Sequence, residues 1–229
     1  MNLFNTLSLL TLNWVAAQDI STSVLLGNCP PDDFDSLNEF DFGEFISARW
    51  YSIQQKDTWY LPTSQFYCVY AEYEVSDYFC PLCFERPKLS VFHRSLRDSV
   101  SGSERTADFR AIVPFPDRHP ARAYVGRRFI PLGIIAPSNL WIIDAGTYSG
   151  VVNNVASPIG TPYEWAIVTA GGPNREGENG SCYSRDGMWI IARTAQPSQE
   201  VIDAIRLRFS DLGLDVSQLL PVEHTGCAY

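Results

Sequence analysis

The sequence predicts an all-β fold: an eight-stranded antiparallel up-and-down β-barrel with one carboxy-terminal α-helix packed on its outside. Two observations carry this reading. Segments rich in β-branched and aromatic residues recur eight times between Pro and Gly breakers, and no long helical pattern separates them, which argues against a βαβ enzyme fold. Eight strands are enough to close a sheet on itself and abolish its edges. Near the end of the chain, one stretch changes to helical periodicity.

In order, the strand candidates are 49–55, 66–73, 88–96, 106–113, 122–130, 139–143, 165–169 and 188–194. Pro87, Ser101-Gly102, Pro114, Pro116, Pro131, Pro158 and Gly171-Gly172-Pro173 punctuate them. Residues 146–160, rich in Ser, Asn and Gly, read as a long loop. The helix is expected over 198–212. Ser198 follows Pro197 and can cap it, Ile202, Ile205, Phe209 and Leu212 recur on one face, and Gly213 can stop it.

A chain of 229 residues suits a single domain with a real core, and 45% hydrophobic with 13% aromatic residues excludes a disordered one. The balance of 17 basic and 26 acidic residues gives a net charge of −9, which repels phosphate backbones and argues against a nucleic-acid partner. Residues 1–17 read as a signal peptide ending in Val15-Ala16-Ala17, although no positive charge precedes the apolar run, and 18–229 as the domain. No later window is apolar for long enough to form an integral membrane segment.

The six cysteines, Cys29, Cys68, Cys80, Cys83, Cys182 and Cys227, are even in number and spread out, which favours three disulfides in an oxidising, extracellular compartment. Alone, they leave 15 pairings open. Asn179-Gly180-Ser181 is a glycosylation sequon, with a bare Asn-Gly turn as its alternative. His93, His119 and His224 show no metal-ligand spacing, no catalytic arrangement is visible and no cofactor is implied.

Three motifs point to a family. Ala48-Arg49-Trp50-Tyr51, Thr161-Pro162-Tyr163-Glu164-Trp165 and Trp189-Ile190-Ile191-Ala192-Arg193 follow one another in the order of the lipocalin motifs, and from 27 to 227 the chain resembles that family. It departs at Ala48, where the family has glycine, and at Pro162, where it has aspartate. The resemblance implies that Trp50 and Arg193 meet at the closed end of the barrel as structural residues. A guanidinium laid over an indole gains about 0.5–2 kcal/mol. It also implies pairing of Cys29 with Cys182 and of Cys68 with Cys227. Cys80 and Cys83 remain as a local staple, since a Pro-containing turn between strands lacks the helix amino terminus that redox chemistry needs.

Strand alternation puts Trp189 and Ile191 on one face with Arg193, and the resemblance places Tyr73 on the cavity wall. The expected ligand contacts are Tyr73, Phe129, Trp141, Trp189 and Ile191. Such a wall suits a small hydrophobic ligand: a sterol, retinoid, carotenoid or fatty acid. Arg105, Arg110, Arg118, Arg122, Arg127 and Arg128 form either a cationic rim for a carboxylate or solvated strand faces. The first functional reading is therefore a secreted, non-enzymatic carrier, for which a cell-surface receptor is a candidate partner. An enzyme acting on a lipid or isoprenoid on the same barrel, and an interaction or inhibitor module with a filled barrel, are the other two. Oligomeric state has no signature here.

Overall fold

The computed structural model describes residues 28–77, 86–127, 138–158 and 160–229. The expected signal peptide over 1–17, Cys80, Cys83, Arg128 and Phe129 lie outside the described residues.

Asp41 caps a short helix α1 (Phe42–Ile46) by accepting from the Glu44 N–H at 2.9 Å. β1 (Trp50–Lys56), β2 (Tyr67–Val75), β3 (Lys88–Leu96), β4 (Glu104–Ile112), β5 (Arg122–Arg127) and β6 (Ser138–Gly146) follow. After α2 (Tyr148–Val152) come β7 (Trp165–Thr169), the small hairpin β8 (Arg175–Glu176) and β9 (Cys182–Tyr183), β10 (Met188–Ala192), α3 (Gln199–Asp211) and β11 (Leu219–Pro221). Strands β1 to β7 and β10 pair antiparallel, each with its neighbour, and β10 pairs with both β7 and β1, so the sheet closes into an eight-stranded barrel. The expected architecture is the observed one, with strand ends shifted by a few residues.

Strand β7 shows why the barrel needs an outer helix. All five of its residues are buried, because Ala166 and Val168 face the interior while Trp165 and Ile167 face α3. Helix α3 buries Val201, Ile205 and Phe209 on that outer face. Val201 joins the buried face, while Ile202 and Leu212, expected on it, pack against the core but are only partly covered. The Ser198 hydroxyl accepts from the Val201 N–H, and Gly213 turns the chain away at φ +74, where a Cβ would stand 2.8 Å from Pro31. Arg206 donates to Gln54 on β1 and Arg208 pairs with Asp144 on β6, which fixes the helix across the closure.

The 146–160 segment is not wholly a loop: Thr147 caps α2 by accepting from the Gly150 N–H, and Tyr148, Val151 and Val152 pack on the outer core. Its Ser and Gly content conceals the helix, which packing supports more than propensity does.

Strands β1 and β2 pair only at Trp50↔Ala71 and Tyr51↔Tyr70 before they diverge. The carboxy-terminal segment fills the gap. β11 lies along β1, the Cys68 N–H donates to the Glu223 carbonyl at 2.9 Å, and Cys68–Cys227 fastens the tail there. The second bridge, Cys29–Cys182, holds the amino-terminal segment against the β8–β9 hairpin. Among the described residues no cysteine is free, and no helix is long and apolar enough to cross a membrane.

Candidate functional site

The barrel is hollow. A cavity of about 570 Å³ opens at one end and is floored at the other. The floor is built around Arg193, just past β10. Its guanidinium carbon lies 3.8 Å from the centre of the Trp50 ring. It donates to the carbonyls of Glu44 (2.7 Å), Phe45 (3.0 Å), Arg49 (3.4 Å), Tyr163 (3.1 Å) and Ala48. Trp50 Nε1 donates to the Phe45 carbonyl at 2.7 Å, and the Phe45 ring packs 5.0 Å from the indole. One cation thus ties α1, the entry to β1 and the entry to β7 together. The Ala48 and Tyr163 carbonyls used here belong to the two segments in which the chain departs from the lipocalin motifs. Backbone carbonyls carry the contacts, so the side chains of Ala48 and Pro162 are not needed for them.

Above the floor, Tyr73, Val91 and Phe109 share a face across β2, β3 and β4, with Trp189 and Ile191 on β10 also lining the space. Gly187 makes room for Trp189: a Cβ there would stand 2.2 Å from the indole ring. Burial raises the Tyr73 hydroxyl to a pKa of about 12, although Arg193 opposes the shift, so it is a neutral hydrogen-bonding group. At the mouth, Trp59 and Tyr60 from the β1–β2 connection stand over the opening, and the Tyr60 hydroxyl donates to the Asp186 carbonyl across it. Arg105 and Arg127 also line the cavity.

Of the expected contacts, Tyr73, Trp189 and Ile191 line the cavity, and Phe129 is not described. Trp141 is a correction. Alternation along β6 turns Leu140 and Ile142 inward and Trp141 outward, where it packs against the outer core beneath Arg122, whose guanidinium is 3.9 Å from its ring. Trp50 was expected to be structural alone, yet it also forms part of the cavity floor. The arginine stretch divides. Arg105 and Arg127 reach the cavity, Arg110 lies on the outer face of β4, Arg118 lies over Phe115, and Arg122 pairs with Asp35. Asn179 is exposed at the tip of the β8–β9 hairpin with φ +56.

His93, Ser95, Thr106 and Ser52 are cavity residues that sequence reasoning missed. The period-2 pattern of β3 could have found His93, two positions from Val91. Burial lowers its pKa to about 4, so the imidazole is neutral at physiological pH. Burial also lowers that of His224. The folded state therefore resists protons that the unfolded chain accepts at about 6.5. The contribution of both is complete above that pH and declines as pH falls below it, and that of His93 is lost as pH falls towards 4. The His93 share is about 2 kcal/mol, smaller than the full shift implies because the cavity admits water. Urea unfolding at pH 7.5 and 4.5 should show this loss in the wild type and a smaller loss in His93→Leu.

Among the described residues no group of His, Cys, Asp and Glu could hold a metal ion. The site offers an apolar, aromatic interior with neutral hydrogen-bonding groups and two cations along its wall, which suits the binding of a small hydrophobic ligand.

No family model matches the chain, and no curated protein sequence matches it. Among solved structures it is similar to lobster apocrustacyanin A1, at 14% identity over 82% of this chain and 83% of that one, with a TM-score of 0.52. It is also similar to apocrustacyanin C1, at 14% identity over 82% of each chain, with a TM-score of 0.51. The fold is that of a lipocalin barrel, closed at its base and hollow above it.

Proposed function

We propose that this chain is a secreted member of the lipocalin family that binds and carries a small hydrophobic molecule and performs no catalytic step. The observation that carries this reading is the 570 Å³ cavity, large enough for a molecule the size of a sterol or retinoid and walled by Tyr73, Trp189 and Ile191 over a sealed floor. Within the family, the placement of the cysteines is most similar to that of apolipoprotein D. Secretion is supported by two long-range disulfides and by the apolar leader. We read Asn179, exposed on its hairpin, as a glycosylation site. A cell-surface receptor remains a candidate partner.

Affinity should be modest. Burying about 300 Å² of apolar ligand contributes roughly 7 kcal/mol, and the cost of association reduces this to a micromolar dissociation constant. Trp50, Trp59 and Trp189 all line the cavity, so their emission reports occupancy. Titration with retinol and with a long-chain fatty acid should each give saturable quenching. In the Arg105→Ala/Arg127→Ala variant, fatty-acid affinity should fall about tenfold relative to retinol. A linear, unsaturable response to every probe would exclude a carrier.

A further inference from the structure

Across β2, β3 and β4 the cavity wall is layered. Nearest the floor, Tyr73, Val91 and Phe109 stand side by side in register. Nearest the mouth, Ser95 stands beside Arg105. Between these layers lies the row Ala71↔His93↔Ala107, in which a histidine is flanked on both sides by the smallest side chain that keeps a Cβ. All three residues line the cavity. The alanines leave space around the imidazole, and among the described residues neither ring nitrogen has a hydrogen-bond partner.

His93 is only partly buried and faces the open cavity, where water can meet its ring nitrogens. A neutral imidazole carries one donor and one acceptor, so a ligand that displaces that water without replacing its hydrogen bonds loses affinity. A leucine or valine here would extend the apolar wall and make no such demand. The Gln65 amide oxygen accepts from the Ser95 hydroxyl at 3.5 Å, one polar pair of the cavity closed within the protein. His93 has no such bond among the described residues, and it sits where aromatic wall gives way to polar rim.

We propose that His93 is the specificity-determining residue of the cavity, and that the ligand is an apolar molecule bearing a neutral hydroxyl or carbonyl on its body, received by the imidazole between Ala71 and Ala107. The inference rests on the carrier reading. A charged head group belongs higher up on this wall, with Arg105. A pure hydrocarbon leaves the imidazole unsatisfied and binds more weakly than its oxygenated counterpart would by surface area alone. The row thus selects among flat apolar ligands that the aromatic wall accepts equally.

The test uses two probe pairs that differ by one oxygen: retinol with axerophtene, and 1-pyrenemethanol with 1-methylpyrene. Tryptophan quenching gives each dissociation constant for the wild type, His93→Leu and His93→Gln. For at least one pair, the hydrocarbon-to-alcohol ratio of dissociation constants should fall about fivefold in His93→Leu, the worth of one neutral hydrogen bond. His93→Gln, which keeps a donor and an acceptor, should recover most of it. The ¹⁵N shifts of the His93 ring should move with the alcohol and stay with the hydrocarbon. Saturable binding with ratios unchanged by His93→Leu in both pairs overturns this inference and leaves the carrier standing. No saturable binding of any probe to the wild type overturns both.

Discussion

Replacing Arg193 by leucine should destabilise the protein by about 4 kcal/mol. The figure follows from what the guanidinium leaves behind. The Phe45 carbonyl keeps the Trp50 N–H, and the Glu44 carbonyl keeps the Ser47 backbone and hydroxyl donors. The part-buried Tyr163 carbonyl has no such second donor among the described residues and becomes an orphan, whereas the Ala48 carbonyl lies at an exposed site and returns to water. Each hydrogen bond lost is worth about 1 kcal/mol, an orphaned buried carbonyl costs about 1–3, and the stacked cation–π contact adds roughly 1. Partial exposure of the site keeps the sum below the total of these terms. Urea unfolding should show the midpoint falling with the slope unchanged. Arg193→Lys should recover less than half, because one ammonium cannot reach carbonyls on three segments at once. A loss below 1 kcal/mol for the leucine variant would show that the floor holds without its cation.

How much of this was legible beforehand depended on the range of the cause. Alternation over a strand is local, so the barrel strands, and the inward turn of Trp189 and Ile191, could be read from neighbouring residues. The same rule applied to β6 sends Trp141 outward once Leu140 and Ile142 are recognised as the inner face, but an indole next to aliphatic residues gives no sign of which face is which. Only the helix packed outside decides it. α2 was hidden for a related reason: Tyr-Ser-Gly-Val-Val has little intrinsic helicity, and its support comes from α3, some fifty residues later. His93 escaped notice because its significance lies in its cross-strand neighbours. Two alanines, on β2 and β4, are unremarkable in sequence and become a niche only in register.

The same dependence on distant partners governs the carboxy-terminal tail. Replacing Cys68 and Cys227 together by alanine is expected to cost roughly 5 kcal/mol, since the bridge spans 159 residues and so removes much freedom from the unfolded chain. Cys29–Cys182 spans 153, so chain entropy alone assigns the two bridges nearly equal worth. What separates them is the element each one holds. The tail fills the gap where β1 leaves β2, with Val222 N–H on the Ile53 carbonyl, Glu223 N–H on the Phe66 carbonyl, and His224 Nε2 on the Ser52 carbonyl at 2.8 Å. Ser52 lines the cavity, so loosening the tail loosens the side wall of the binding site. In the Cys68→Ala/Cys227→Ala variant, hydrogen exchange at the Cys68, Val222 and Glu223 amides should accelerate well beyond what the global loss of stability allows. In the Cys29→Ala/Cys182→Ala variant those amides should follow global unfolding, because the seam itself is untouched. Equal acceleration of the three amides in both variants would mean that the tail is held by β11 and its side chains, with the bridge acting on the unfolded chain alone.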